Sequence, residues 1–223
     1  MYQELVLNND PKSVISETIR TLRTNLQFAS VDKKIKTILI TSSVPGEGKS
    51  FIAANLACAF AQSGSRVLLV DCDIRKGRQH YIFNSHNKSG LSNLLLENVK
   101  EKYIDYIQET RIKNLYVMFR GVTPPNPSEL LGSSKNKELI EILRNEYDIV
   151  IFDSAPINGG LTDSIIMSTL VDGVVVVSSC KETPISLLNN TKKSLQNVNA
   201  NILGVVLNRA SSKSKKYYGH YYG

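Results

Sequence analysis

The segment that most constrains this chain is Thr37–Ser42 (TILITS) followed directly by Ser43-Val44-Pro45-Gly46-Glu47-Gly48-Lys49-Ser50. A continuous apolar run reads as a buried strand, the glycines break it, and Lys49 to Gln62 reads as a helix. Strand, glycine loop and helix in that order form a phosphate cradle. Glycines let backbone N–H groups converge on phosphate oxygens, and the helix N-terminus adds positive potential. A lysine there reaches the outer phosphates, and a following hydroxyl can ligate Mg²⁺. The nucleotide-binding positions expected are Pro45, Gly46, Glu47, Gly48, Lys49, Ser50 and Phe51. Ser43 stands where the P-loop pattern has its first glycine.

The rest of the chain must supply a sheet for this loop. VLLVD (67–71) and the apolar runs at 115–119, 149–153, 173–178 and 202–207 read as further strands, with helical patterns filling most gaps. Short apolar strands alternating with helices predict a three-layer α/β/α domain around a mainly parallel sheet, with its ligand site at the strands' carboxyl ends. At 223 residues one domain is expected, over 1–210. Apolar positions from Val14 to Ala29 recur at helical spacing, so 10–30 reads as an amphipathic helix. The prolines at 124, 125 and 127 force a loop, with a helix starting at Ser128 and Glu129.

Composition excludes several classes. No apolar run approaches the roughly 18 residues of a membrane span, and Met1 to Pro11 lacks a secretory signal's pattern, so a cytoplasmic location is expected. Three widely spaced cysteines and three histidines show no metal-ligand spacing. The net charge of +7 invites an anionic partner without choosing one. Residues 211–223 (SSKSKKYYGHYYG) hold three lysines, no acid and no aliphatic side chain, and read as a flexible tail. Four of the ten tyrosines fall there, at 217, 218, 221 and 222.

Two acidic motifs end apolar strands. Asp153 closes IVIFD, where a carboxylate can hold Mg²⁺ directly or through water. Asp71-Cys72-Asp73-Ile74-Arg75 follows VLLV, and alternation puts Asp71 and Asp73 on one side if the chain stays extended. One of these carboxylates can contact metal while the other accepts a proton.

The P-loop SxxPGEGKS, the motif VLLVDCDIR, Asp153 and the terminal tyrosines together resemble bacterial tyrosine kinases of the polysaccharide co-polymerase system, over nearly the whole chain. The form is similar to the separate cytosolic catalytic polypeptide of Gram-positive bacteria. The resemblance implies ATP and Mg²⁺ as cofactors, Lys49, Asp71, Asp73 and Asp153 as catalytic groups, and Ser50, Asp73 and Asp153 at the metal. It makes Tyr217, Tyr218, Tyr221 and Tyr222 the phosphate acceptors and Asn208 an adenine contact. Asp71 is the preferred general base, since a tyrosine hydroxyl has a pKa near 10. The family's Glu-x-x-Arg-x-x-Arg motif is matched by Glu17, Arg20 and Arg23 and implies a ring-like homo-oligomer. A transmembrane activator would recruit the chain to the inner face of the membrane, protein substrates are expected, and no nucleic acid is. Gly77 stands where the family often has proline, and Ser154-Ala155-Pro156 where Thr-Pro-Pro or Thr-Ala-Pro is more frequent.

Two other readings compete. A partition or positioning ATPase of the ParA/MinD type shares the fold, but its P-loop normally carries an extra lysine where this chain has Val44, and its membrane-targeting tails carry an apolar stripe absent from Ser211 to Gly223. A weakly active nucleotide-binding scaffold would not need Lys49 and the three aspartates intact.

Overall fold

The computed structural model describes residues 4–29, 35–158, 160–180 and 182–210. Strands β1 (Thr37–Ser42), β2 (Val67–Asp71), β3 (Gln108–Glu109), β4 (Leu115–Met118), β5 (Ile149–Asp153), β6 (Gly173–Ser179) and β7 (Ile202–Asn208) form one sheet in the order β3-β4-β2-β5-β1-β6-β7. Every pairing is parallel except β3 with β4. The interior strands β1, β2, β5 and β6 are buried at every position, which is why they read as unbroken apolar runs.

Alternation along each strand feeds two cores. Ile38, Ile40, Leu69, Ile151 and Val175 face one side; Leu39, Leu68, Val70, Val150, Phe152 and Val174 face the other. The first side is covered by α1 (Val6–Asn9), α2 (Val14–Phe28) and α3 (Lys49–Gln62), with α4 (Gln79–Ile82) at its edge. The second carries α5 (Leu91–Leu94), α6 (Val99–Lys102), α7 (Pro127–Gly132), α8 (Ser134–Glu146), α9 (Asp163–Ser168) and α10 (Ile185–Asn197). This is the expected three-layer α/β/α arrangement.

Local chemistry sets the helix limits. The expected helix over 10–30 is α2 alone, because Ser13 caps it by accepting from the Ser16 N–H at 3.2 Å. The helix expected from Ser128 opens one residue earlier, with Pro127 in its first turn, where a missing N–H costs nothing. α3 is buried from Ile52 to Ala61, and its alanines let it lie close against the sheet beneath the P-loop. Among the described residues no helix is long and apolar enough to cross a membrane.

Candidate active site

The site lies at the carboxyl ends of three neighbouring strands. β1 runs into the P-loop, and β2 and β5 end on Asp71 and Asp153, which are paired in register. Gly46 and Gly48 adopt φ of +85° and +93°, the left-handed region that side chains avoid. At Gly48 a Cβ would also come within 2.1 Å of Asn208 Nδ2. Ser43, in place of a first glycine, is buried, and its hydroxyl accepts from Thr191 Oγ1 at 2.9 Å.

The Glu47 side chain turns inward. Its buried carboxylate accepts from the Val44 N–H at 2.8 Å, the Ser179 N–H at 3.1 Å and the Thr183 hydroxyl. Any nucleotide contact at this position is therefore with its backbone. Asn208 Nδ2 donates to the Glu47 carbonyl at 2.9 Å, and Arg209 Nη2 to the Gly46 carbonyl at 2.8 Å. Arg209, at φ +56°, also pairs with Glu182 at 2.6 Å. The first N–H groups of α3 have no partner within the helix, as an anion site requires. Gly46, Gly48, Lys49, Ser50, Phe51 and Asn208 line an open pocket of about 310 Å³ here, with Arg78 and Arg209 at its margin. A larger hollow of about 540 Å³ lies at the opposite ends of β1 and β5, and its one carboxylate, Asp148, is already bonded to the Arg66 N–H.

Lys49 and the three aspartates come together. Lys49 Nζ is 3.2 Å from Asp73 Oδ2 and 4.0 Å from Asp153 Oδ1. Burial works to lower the lysine's pKa, but Asp153, Asp73 and Asp71 together outweigh it and hold the ammonium above its ordinary value. Burial, and then the neighbouring Asp153 charge, push Asp71 well above the usual carboxylate range. Burial also raises Asp153, against the opposing pull of Lys49.

Sequence motifs did not identify the residue that ties the carboxylates together. Gln79 is buried; its backbone N–H donates to Asp71 Oδ2 at 3.1 Å, and its Nε2 donates to Asp153 Oδ2 at 2.8 Å and to the Ser50 carbonyl at 3.1 Å. The contacts bridge 74 and 29 residues of sequence, so no local pattern marks them. Gly77 lies against Asp71, where a Cβ would meet Oδ1 at 2.1 Å, so its departure from the family's proline leaves room for that carboxylate. Arg75, grouped with the aspartates in sequence, instead binds Asp163 through two nitrogens at 2.7 and 3.2 Å, supported by Ser128.

The donor set fits Mg²⁺. Asp71 Oδ1 and Asp153 Oδ1 are buried without a hydrogen-bond partner, and Ser50 works to lower the Asp153 pKa against its burial. Among the described residues no three His, Cys, Asp or Glu side chains close into a cage. Mg²⁺ that is bound with a nucleotide needs only one or two protein carboxylates, the phosphates and water completing its shell.

On α2, Glu17 and Arg20 pair at 2.5 Å on the outer face, while Arg23 Nη1 donates to the Ala59 carbonyl of α3 at 3.2 Å. The four tail tyrosines lie outside the described residues.

The family model described as an AAA domain matches residues 35–204. The tyrosine-protein kinase YwqD of Bacillus subtilis is 41% identical over 99% of this chain and 92% of its own length. The chain belongs to the bacterial tyrosine kinases. Wzc of Salmonella typhimurium, another tyrosine-protein kinase, is 36% identical over 98% of this chain but only 30% of its own length. Among solved structures, the chimerical protein CapA2B2 superposes with a TM-score of 0.88 at 43% identity, covering 94% of this chain and 91% of its own. The kinase domain of Escherichia coli Etk gives 0.85 at 32%, covering 93% and 82%. The cell division ATPase MinD of Pyrococcus furiosus, at 24% identity and a TM-score of 0.66 over 79% of this chain and 73% of its own, shares the fold alone. The chain is thus an ATP-binding tyrosine kinase on an architecture also used by positioning ATPases.

Proposed function

We propose that this kinase transfers the γ-phosphoryl group of Mg-ATP to the tyrosines of a neighbouring subunit's tail, at Tyr217, Tyr218, Tyr221 and Tyr222, and to other protein substrates, in the control of capsular or exopolysaccharide synthesis and export. The observation that carries this reading is Lys49 held between Asp73 and Asp153 at the mouth of the P-loop, beside a third buried carboxylate. The loop N–H groups and Lys49 receive the phosphates. Ser50, Asp73 and Asp153 would hold Mg²⁺, which neutralises charge developing on the β- and γ-phosphate oxygens. The tyrosine oxygen bonds to the γ-phosphorus as the bond to the β–γ bridging oxygen breaks, and ADP departs with that electron pair. The phenolic proton passes to Asp71, whose burial favours its protonated form. In the described arrangement the Gly77 backbone covers Asp71, so this transfer requires that contact to open.

Asn208 lines the pocket beside the P-loop, and family membership supports it as the adenine contact. Family membership supports a transmembrane activator that recruits the chain to the inner face of the membrane, and a ring-like homo-oligomer assembled through the α2 motif. The test is incubation with Mg-ATP and the activating segment, followed by phosphosite mapping. Phosphotyrosine at 217–222 is expected. ATP hydrolysis with no phosphotyrosine there would transfer the chain to the switch ATPases, and failure to bind nucleotide would overturn both readings.

A further inference from the structure

Resting on that reading, we infer that Gln79 is a positioning residue for the Asp71–Asp153 pair and for Mg²⁺ binding. One residue holds one oxygen of each carboxylate. Its backbone N–H holds Asp71 Oδ2 and its side-chain amide holds Asp153 Oδ2, while Oδ1 of each is buried and without a hydrogen-bond partner. A carboxylate has lone pairs to spare on each oxygen, so an amide donor on one orients the group without occupying the other. The oxygen left on Asp153 lies 4.0 Å from Lys49 Nζ, on the side of the phosphate-binding loop.

The second hydrogen bond of the same amide makes the arrangement directional. Nε2 also donates to the carbonyl of Ser50, the residue whose hydroxyl would ligate the cation. Gln79 therefore sets the spacing between the end of β5 and the first turn of α3, two of the elements that would supply protein ligands. Its own Oε1 is buried and unpartnered. A buried amide oxygen with no donor is costly, and in this place it is available to accept from a water on the cation. Charged neighbours leave the residue little freedom: Asp71 and Asp153 bind it directly, and Lys49 lies beyond Asp153.

Second-layer donors of this kind change metal affinity by about ten- to a hundredfold when removed. The experiment measures the affinity of the full chain for a non-hydrolysable ATP analogue, by calorimetry, with Mg²⁺ and with EDTA. The ratio of the two affinities reports the cation's contribution without any turnover. Gln79→Met keeps the length and removes the donor; the ratio falls by about tenfold or more while the Mg²⁺-free affinity stays near that of the parent. An unchanged ratio in the methionine variant overturns the inference, as does an equal loss with and without Mg²⁺, which marks a purely structural role. If the parent chain itself binds no nucleotide, it is the proposed function that fails.

A second measurement needs no variant. In protein labelled with ¹⁵N-glutamine, the Gln79 side-chain amide is expected to exchange slowly with solvent in nucleotide-free protein and to shift when Mg²⁺ joins the bound analogue. A fast-exchanging amide that ignores Mg²⁺ refutes the role even if Gln79→Met does not fold.

Discussion

At the residue scale the kinase site stores unfavourable charge. Asp71 has no exposed surface, its Oδ1 has no partner, and Asp153 is its neighbour across the sheet. Its raised pKa means that between the unfolded value near 4 and the folded one the native state binds more protons than the unfolded chain. Stability from this group therefore falls as pH rises through that interval, because burial disfavours its ionised form. Asp71→Asn removes the charge and keeps an oxygen for the Gln79 N–H. The nucleotide-free variant should melt a few degrees higher at neutral pH, about 2–4 °C for each kcal/mol recovered in a chain of this size. The gain should shrink towards acid pH, and tyrosine phosphorylation should fall by at least about a hundredfold. Scanning calorimetry across pH checks the first two outcomes. A lower melting point at neutral pH would show that the carboxylate is stabilised by its surroundings. The aspartates were legible in the sequence because each ends an apolar strand. Gln79 and Arg209 were not, since their partners are brought in by the fold from distant positions.

At the element scale the P-loop is fastened from beneath and from the side. Glu47 collects three donors from its own loop, from β6 and from the segment before α10. Asn208 and Arg209, ending β7, hold the loop's carbonyls. Glu47→Ala strands two backbone N–H groups and a hydroxyl, each costing about 1–3 kcal/mol if it stays buried and unbonded. A melting point lower by several degrees and a nucleotide affinity lower by about tenfold are expected, with Glu47→Gln in between. Melting curves with and without ADP decide; an unchanged curve would mean the network adds nothing. Gly48→Ala should be worse for binding, because its Cβ meets Asn208 in a left-handed turn. The interior strands were legible to within a residue because burial on both faces leaves no polar interruption. β3 was not, as its two residues are exposed and polar and pair only through tertiary contact. The four-residue helices near the site are likewise too short to show a period.

At the scale of the whole molecule, the α2 motif divides into an inward half and an outward half. Arg23 is partly buried, and its guanidinium reaches the Ala59 carbonyl of α3, so it braces the helix that carries the P-loop. Glu17 is mostly exposed and, among the described residues, pairs along its own helix with Arg20, whose Nη1 also reaches the Pro11 carbonyl. Val14 and Ile15 lie exposed on the same helix, at 62% and 51%. Exposed apolar side chains beside an acid and a base form a surface that a second copy can cover, with the charges setting its register. The three positions should therefore separate experimentally. Glu17→Ala with Arg20→Ala should reduce the mass measured by light scattering and leave the melting point of the dilute chain within about 2 °C, since an exposed pair contributes at most about 1 kcal/mol. Arg23→Ala should lower the melting point even where the chain is monomeric, because it removes a bond between α2 and α3. If the double variant assembles as the parent does, the motif's exposed half has no part in association. Trans-phosphorylation would then fall only with Arg23, through the P-loop helix that it supports.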